Sequence, residues 1–458
     1  MKTVCLVISL FFAVVVFGQD IKLRISNAID KLEKDEQFKH AIIGMYVLDS
    51  KTGKPVYEKN GQLGLAPASC QKVITSATAF ELLGADYSYK TAIGYDGSIV
   101  HDSLTGFVHI VSNYDPTFGS WRWKTTSGDY IITKMMAELA RAGIGSAKGF
   151  VFDNLEWGAQ TLPDGWVWQD IGNYYGAGCD QFNWHENQYD IVLKPGKKIG
   201  DPVKLLSTPR THTVITTDLK TAAEGTGDQA YVYCAPNSDM TVIRGTIPLG
   251  VDSFTVTASD HNPANAFQVR MGAVLPLSFF NQPVYVPDHS RHKMETLLFN
   301  FVSPSLDSIN YWFLKKSVNL YGEAFVKTIA YEQTGSGSTD TGVAIIKEFW
   351  RKKGIDQSAL NIIDGSGLSP ANRVTANALV QVLQFARSRS WFRSFYNALP
   401  EMNGIKMKDG YIGGVRSYTG YVKSKSGMEY TFAFIVNNFD GSPGTVREKI
   451  WKLLDLLK

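Results

Sequence analysis

The local sequence pattern changes twice along the chain, and these changes limit the folds available to it. Residues 22–39 have a helical period, and AIIGMYVLD followed by SKTGK and PVYEKN is typical of a β-hairpin. Short β-like runs separated by Gly, Asp, Asn and Pro fill residues 89–287. From about residue 292 the pattern is helical again, until strand-like VRSYTGYVK and YTFAFIVNN precede a last helix. We therefore predict an α/β fold in which both chain ends build one domain, an antiparallel sheet flanked by helices and interrupted by a β-rich insertion.

The composition excludes several classes of function. The 458 residues are 44% hydrophobic and 19% charged, which is typical of a globular protein with more than one core. The 46 basic and 43 acidic residues leave a charge of +3 without a polybasic tract, so a nucleic-acid partner is not expected. The sequence contains neither the H-E-x-x-H motif of metalloproteases nor the G-x-S-x-G elbow of α/β-hydrolases. No metal or organic cofactor is implied.

The first residues resemble a secretory signal. Met1 and Lys2 precede an apolar run from Val4 to Phe17, and a small residue follows it. This run is short for a membrane span, and no later stretch reaches the necessary length. We expect residues 1–18 to be a cleaved signal peptide, with no transmembrane anchor after its removal. The mature protein would then be secreted across the inner membrane and be periplasmic or associated with the cell envelope.

Removal of the signal leaves an odd number of cysteines, namely Cys70, Cys179 and Cys234. At least one thiol must then stay free or pair with another chain. We expect Cys70 to be a buried, reduced cysteine that acts as a small hydrophobic residue. Cys179 and Cys234 remain as candidates for a disulfide, although their spacing does not support one.

A serine and a lysine lie three residues apart at a predicted helix start. Ser69 and Lys72, in LAPASCQKVITSATAF, share one helical face, so the amine can reach the hydroxyl and withdraw its proton. The same spacing recurs at Ser290 and Lys293, so the four-residue pattern alone does not identify a nucleophile.

A serine–lysine acyl enzyme also needs a second polar pair that relays protons. Two segments supply the pattern, Ser308 with Asn310 and Ser317 with Asn319. We favour Ser317 and Asn319, because LKKSVNLYGEAF places them at a bend between helical stretches, whereas Ser308 lies within a helical run. The simpler structural explanation is that Asn319 caps a helix.

The third element is a basic residue beside a glycine, and three segments compete for it. Lys51-Thr52-Gly53 and Lys425-Ser426-Gly427 both lie in predicted hairpin turns, where such residues are ordinary turn formers. Lys408-Asp409-Gly410-Tyr411 instead opens a strand, so Lys408 and Gly410 can face one side while backbone amides line a cleft.

Taken in this order, the three elements resemble the serine D-Ala-D-Ala carboxypeptidases and endopeptidases of the low-molecular-mass, class C penicillin-binding proteins. The stretches GWVWQDIGNYYGAG, SPSL, DGSGLSPANRVT and AFIVNN extend the resemblance over nearly the whole mature chain. It implies a β-lactamase/transpeptidase-like penicillin-binding domain made from residues 19–88 and 299–458. A β-rich insertion would occupy residues 89–298, with a smaller nested domain at about 195–265.

The resemblance also implies a role for each candidate residue. Ser69 attacks the carbonyl between two D-alanines, and Lys72 is the base for acylation. Ser317 and Asn319 relay protons and orient the substrate, while Lys408 supports the relay and the substrate carboxylate. Substrates would be peptidoglycan stem peptides and cross-links, cleaved by D-Ala-D-Ala carboxypeptidase activity, by D,D-endopeptidase activity or by both. β-Lactams would be covalent inhibitors.

Further residues are expected to contact the substrate. The backbone amides of Ser69 and Tyr411 would hold the oxyanion, and Asp409 and Gly410 belong to the same strand. Asp170, in GWVWQD, would receive the amino end of a diaminopimelate side chain, although a carboxylate that caps the following turn is an equally simple explanation.

The chain departs from the family pattern at two positions that touch function. Asp409 stands where threonine or serine is usual, and an ionised aspartate would repel a substrate carboxylate. The sequence leaves three ways to avoid this repulsion open: Asp409 points away, is protonated, or pairs with Arg416. Pro370 stands where several relatives carry an arginine, and Arg373 is close enough in sequence to replace it.

These departures define the alternatives. One is a weakly active or inactive relative that binds cell-wall peptide, because Asp409 damages the carboxylate pocket. A β-lactamase is a further alternative, but the long insertion and the absence of a dedicated deacylation residue argue against it. Retention of the whole set of polar residues favours the enzyme.

Overall fold

A computed structural model describes residues 20–153, 160–209, 214–236, 238, 240–275, 279 and 293–458. The predicted signal peptide, residues 1–18, and the second candidate serine, Ser290, lie outside the described residues. The described residues form two compact units. The first unit takes in the described residues of Met1–Leu82, Asn310–Ser317 and Val343–Lys458, and the second those of Leu83–Ile309 and Val318–Gly342.

Helices and strands follow one another along the described residues. The helices are α1 (20–33), α2 (Lys72–Leu82), α3 (Gly128–Arg141), α4 (Trp168–Ile171), α5 (Pro263–Gly272), α6 (Leu306–Lys315), α7 (Asn319–Thr334), α8 (Thr339–Lys352), α9 (Ala376–Arg387), α10 (Phe392–Ala398) and α11 (Pro443–Leu454). The strands are β1 (Ile42–Asp49), β2 (Pro55–Lys59), β3 (Lys90–Tyr95), β4 (Ile99–Val100), β5 (Ser103–Leu104), β6 (Val108–Val111), β7 (Phe150–Asp153), β8 (Gln188–Lys194), β9 (Lys204–Ser207), β10 (Val214–Ala222), β11 (Gln229–Cys234), β12 (Met240–Pro248), β13 (Phe254–Ser259), β14 (Thr296–Val302), β15 (Leu360–Asn361), β16 (Arg373–Val374), β17 (Glu401–Met402), β18 (Ile405–Ile412), β19 (Val415–Lys423) and β20 (Glu429–Asn437).

The first unit contains a six-stranded antiparallel sheet of order β17-β18-β19-β20-β1-β2. β1, near the start of the chain, pairs along its whole length with β20, near the end, so that Ile42 lies opposite Asn437 and Asp49 opposite Tyr430. Both ends of the chain therefore contribute to one sheet, as the sequence predicts.

Helices cover both faces of this sheet. Apolar residues recur along α1 with helical spacing and are buried, as are apolar residues of α11, and together they pack on one face: Ile21, Ile25, Ile29, Leu32, Val446, Ile450 and Leu453. On the other face, the Tyr421 hydroxyl of β19 donates to the Leu383 carbonyl of α9 over 2.7 Å. α2 is buried at every position from Lys72 to Phe80, which is the pattern of a central helix. A polar residue in α2 is therefore enclosed by the core.

The described residues of the second unit include two hydrophobic cores. A four-stranded sheet of order β14-β3-β6-β7 shares one core with α3 and α5, centred on Phe118, Phe152 and Phe267. Two three-stranded sheets, β10-β12-β11 and β13-β8-β9, enclose another core that includes Ile191 and Ile243. This second core lies mostly in the region predicted to be a nested domain at about 195–265, but it begins earlier, with Tyr189, Ile191 and Leu193 of β8. The domain boundaries stay a prediction.

Candidate active site

Ser69 lies at the entrance to the buried helix α2. It belongs to a short 3-10 turn, Ala68–Gln71, that runs directly into Lys72. Lys72 Nζ lies 2.9 Å from Ser69 Oγ and donates to it. The amine also donates to the Ser366 carbonyl over 2.7 Å, and the Phe313 ring centroid lies 5.8 Å away. The structure thus holds a buried amine against the partly exposed hydroxyl, as the spacing in the sequence predicts.

The loop that supplies the Ser366 carbonyl is tied to α2 and braced by one aspartate. The Gln71 side chain donates to the carbonyl of Asp364 over 2.6 Å and to its carboxylate over 3.0 Å. The same carboxylate accepts the backbone N–H groups of Gly367 and Ser369, each over 2.7 Å. Asp364 lies in the DGSGLS stretch but has no role in the prediction from sequence. An aspartate before alternating Gly and Ser is typical of a loop whose backbone N–H groups bond to the carboxylate.

A glycine in this loop permits close approach to the nucleophile turn. Gly367 has φ +81°, and a Cβ there would lie 2.0 Å from the Ala68 carbonyl oxygen. Ala68, directly before Ser69, itself has a left-handed φ of 45°. A non-glycine residue with a left-handed φ costs conformational energy, so the surrounding structure must hold it in place. Such residues are frequent at functional sites.

Strand β18 packs directly on the Ser69 turn. The Cys70 thiol donates to the Lys408 carbonyl over 3.2 Å. A Cβ on Gly410 would lie 2.7 Å from the Pro67 carbonyl oxygen and 2.9 Å from the Ser69 nitrogen, so only glycine allows this approach. Of the three K-x-G candidates, the structure places Lys408-Asp409-Gly410 beside Ser69. This segment lies in the middle of β18 and does not open the strand as predicted.

The register of β18 determines which of its backbone groups are available. β18 and β19 are joined by a two-residue turn that closes with Ile412 opposite Val415. A closing pair shares the turn hydrogen bond, and antiparallel pairs alternate between bonded and non-bonded. The Gly410 amide therefore faces Ser417 of β19, whereas the Tyr411 amide points to the open edge of β18. The Ser69 turn itself adjoins the face of β18 at Gly410.

Lys408 and Asp409 form an ion pair. Lys408 Nζ donates to the Asp409 carboxylate over 2.9 Å and to its backbone carbonyl over 2.7 Å. Burial opposes ionisation of Asp409, but the Lys408 ammonium outweighs it and the pKa of the carboxyl falls below 3.8. Of the three explanations left open by the sequence, the lowered pKa disfavours protonation, and the hydrogen-bonded partner in the structure is Lys408. The Arg416 guanidinium instead lies 4.5 Å from the Tyr411 ring centroid.

Ser317 lies at the end of α6, which packs on α2. Asn310 of this helix accepts a hydrogen bond from Ser76 over 2.6 Å, and Phe313 lies beside the Lys72 amine. Ser317 has a left-handed φ of 58°, which agrees with the predicted bend. Of the competing pair, Asn310 is buried and bonded to Ser76, whereas Ser308 accepts the Trp123 indole N–H over 2.9 Å. These contacts account for the competing pair in structural terms.

Asn319 and Asp170 belong to the second unit, and both contact Tyr175. The Asn319 amide donates to the Tyr175 carbonyl over 2.7 Å. The Tyr175 hydroxyl donates to the Asp170 carboxylate over 3.3 Å, and burial raises the pKa of this carboxyl above 3.8. Asp170 thus accepts from a tyrosine rather than capping the turn that follows it. The roles of Asn319 and Asp170 in catalysis stay predictions.

The chain matches known proteins over most of its length. A match to the family described as D-Ala-D-Ala carboxypeptidase 3 (S13) extends over residues 25–404. The chain belongs to this family. A D-alanyl-D-alanine carboxypeptidase of Actinomadura sp. (strain R39) is 25% identical over 459 residues, which cover 92% of this chain and 82% of that relative. The D-alanyl-D-alanine carboxypeptidase DacB of Haemophilus influenzae is 22% identical over 437 residues, covering 89% of this chain and 87% of DacB.

A solved structure has the same fold as this S13 family member. The crystal structure of penicillin binding protein 4 (dacB) from Haemophilus influenzae superimposes with a TM-score of 0.79 at 20% identity, covering 94% of this chain and 97% of that one. The predicted fold class is thereby confirmed. The family match confirms the predicted resemblance and, with it, the class of serine-type hydrolase.

Other predictions concern the surroundings of the site. Lys51 and Thr52 give their backbone N–H groups to the Asp49 carboxylate, each over 2.9 Å, which places the first K-x-G candidate in a turn. Arg373, which could replace the arginine missing at Pro370, donates to the backbone carbonyls of its own loop.

The three cysteines of the predicted mature chain are free and buried: Cys70, Cys179 and Cys234. Burial raises the pKa of the Cys70 thiol to about 12, which agrees with a reduced, hydrophobic role. Residues 20–153 and the other described ranges contain no group of three metal-binding side chains. None of the helices within these ranges is both long and apolar enough to cross a membrane.

Proposed function

We propose that the protein is an exported serine peptidase that cleaves peptidoglycan stem peptides, as a D-Ala-D-Ala carboxypeptidase, a D,D-endopeptidase or both. The distance of 2.9 Å between Lys72 Nζ and Ser69 Oγ carries this proposal. A hydroxyl is a weak nucleophile until a base removes its proton, and this distance lies within hydrogen-bond reach. Membership in the S13 family supports the choice of substrate.

The chemistry follows from the groups around Ser69. With Lys72 as a neutral amine, Ser69 Oγ gives its proton to Nζ and bonds to the carbonyl carbon between two D-alanines. The amide C–N bond then breaks, and the departing amine takes up a proton. Water attacks the resulting ester, releases the shortened peptide and restores the Ser69 hydroxyl. The Ser366 carbonyl fixes the amine so that it stays directed at Ser69 through these steps.

Two backbone amides support the developing negative charge. The Ser69 amide lies beside Gly410, and the amide of the next residue, Tyr411, points to the open edge of β18. We assign both to the oxyanion, because fixed N–H donors aimed at a developing charge stabilise the transition state. Ser317 is proposed to relay the proton to the departing amine, and Asn319 to orient the substrate.

Inhibition by β-lactams and export are part of the proposal. The Haemophilus influenzae relative with this fold has been crystallised in complex with a β-lactam, which supports the expectation that Ser69 is acylated by this class of inhibitor. The apolar stretch from Val4 to Phe17, after Lys2, supports export. Export is tested by expressing the full chain in a bacterium and sequencing the N-terminus of the periplasmic protein.

The catalytic proposal is tested by peptide hydrolysis. The mature protein is incubated with a stem pentapeptide that ends in D-Ala-D-Ala and, separately, with a cross-linked muropeptide dimer. Release of D-alanine identifies the carboxypeptidase, and conversion of dimer to monomer identifies the endopeptidase. Ser69→Ala abolishes both activities, whereas Ser290→Ala, at the second S-x-x-K pattern, leaves them intact. Wild-type protein that cleaves neither substrate and forms no penicillin adduct would instead be a non-catalytic relative that binds cell-wall peptide.

A further inference from the structure

A charge pair lies on the strand that adjoins the nucleophile. Lys408 is 1% exposed, whereas the Asp409 side chain is 36% exposed. Lys408 Nζ donates to both the carboxylate and the carbonyl of Asp409. The register of β18 directs that carbonyl to the open edge, because Asp409 and Tyr418 form a non-bonded pair. The ammonium and the carboxylate therefore lie at this open edge, one residue from Gly410, which contacts the Ser69 turn.

The pair is close to the reacting atoms. Gly410, the next residue, contacts the Ser69 turn through its backbone, and Cys70 bonds the Lys408 carbonyl. Successive residues of a strand are about 3.3 Å apart, so the Asp409 backbone is one such step from the residue that abuts Ser69. A peptide bound with its carbonyl between the Ser69 and Tyr411 amides would have its neighbouring groups next to this charge pair.

The carboxylate of Asp409 changes what this edge attracts. Lys408 alone would present a cation to the substrate. The carboxylate of Asp409, the next residue, neutralises this positive charge. A second carboxylate approaching Lys408 would meet repulsion from Asp409, which is ionised in this setting. A neutral hydrogen-bonding group would meet none.

We propose that Asp409 makes this site selective for substrates in which the residue after the scissile bond has no free α-carboxylate, such as a terminal carboxamide. The inference rests on the proposed function and names the substrate class for the same serine. A stem peptide or cross-link whose leaving residue is amidated is the preferred substrate. A leaving residue with an ionised carboxylate is cleaved slowly, and penicillins, which carry such a group, acylate Ser69 slowly.

The test compares two peptides that differ only in the last group. N-acylated L-Lys-D-Ala-D-Ala and its C-terminal carboxamide are incubated with the mature protein, and kcat/KM is measured from the amine released. We expect the wild type to prefer the carboxamide by about tenfold or more. In Asp409→Asn and Asp409→Thr the preference falls at least severalfold, and Asp409→Thr cleaves the free acid faster than the wild type. Glu448→Gln, which removes an exposed charge from α11, keeps the wild-type ratio.

The outcomes separate the inference from the proposed function. If the wild type cleaves the free acid as fast as the carboxamide, or if Asp409→Asn leaves the ratio unchanged, the inference is wrong while the peptidase remains. If the free acid is preferred and Arg416→Gln removes that preference, Arg416 receives the carboxylate and the inference is again wrong. If neither peptide is cleaved and Ser69 forms no adduct in any variant, both proposals fail. Thermal unfolding of each variant confirms that the comparison concerns folded protein.

Discussion

The close contact between β18 and the Ser69 turn predicts a large effect of one added methyl group at Gly410. A Cβ at this position would lie 2.3 Å from Ser417 Oγ, 2.7 Å from the Pro67 carbonyl oxygen and 2.9 Å from the Ser69 nitrogen. Ordinary contact begins near 3.4 Å, so the strand and the turn must separate by about 0.7 Å at the Pro67 carbonyl. Overpacking of this kind costs about 1–3 kcal/mol of stability.

The displacement acts on the reacting atoms as well as on stability. A shift of about 1 Å in catalytic geometry can slow a reaction by about 100-fold, so Gly410→Ala should slow acylation of Ser69 by about 10- to 100-fold. The rate is measured with a fluorescent penicillin, and Tm is measured in parallel. At about 2–4 °C per kcal/mol, the expected fall in Tm is about 2–12 °C.

A matched glycine supplies the control. A Cβ on Gly413, in the turn of the same hairpin, would have no neighbour within 4 Å, so Gly413→Ala should keep both the wild-type acylation rate and the wild-type Tm. If Gly410→Ala acylates as fast as Gly413→Ala, then the β18 edge does not position Ser69, and the assignment of the oxyanion site is wrong.

Three further predictions concern neighbouring groups. Asp364→Ala leaves the buried N–H groups of Gly367 and Ser369 without their acceptor, at a cost of about 1–3 kcal/mol each. Tm should therefore fall and acylation by penicillin should slow. An unchanged Tm would contradict the proposed role of Asp364 in holding this loop. Burial raises the pKa of Cys70 to about 12, so iodoacetamide at pH 8 should label this thiol only after denaturation. The check is to treat the native protein with iodoacetamide, digest it and analyse the peptides by mass spectrometry. A labelled Cys70 peptide would refute the burial of this thiol. Because the pKa of Asp409 is lowered, its ion pair with Lys408 stabilises the fold above pH 3.8, and this stabilisation is lost as the pH falls through the lowered pKa. The Tm of Asp409→Asn should therefore fall less on acidification than the Tm of the wild type. Parallel Tm–pH curves for the two proteins would count against the ion pair.

Much of the site could be predicted because its motifs are local. The spacing of Ser69 and Lys72 places their side chains together as soon as a helix begins there, and the structure brings them within hydrogen-bond distance. The strand-like pattern around Lys408 distinguishes it from Lys51, which lies in a turn, although β18 begins earlier than predicted. Apolar strand patterns near both chain ends predict one shared sheet, and the structure adds that β1 pairs with β20.

Other contacts depend on the folded chain and left little signal in the sequence. Asp364 accepts a hydrogen bond from Gln71 of the Ser69 turn, nearly 300 residues earlier in the chain, and only the fold brings the two together. From the sequence, Arg416 is the partner named for Asp409, whereas the structure forms the hydrogen bond with Lys408. The direction that the long Lys408 side chain takes at the strand edge is not encoded in a local pattern.

The central claim is that Ser69, held by Lys72, is the nucleophile. The most direct measurement is the mass of the mature protein after incubation with excess benzylpenicillin, followed by peptide mapping of the adduct. The account predicts one added penicillin on the peptide that contains Ser69, with no addition to Ser69→Ala. An adduct on another residue, or one that persists in Ser69→Ala, would contradict it.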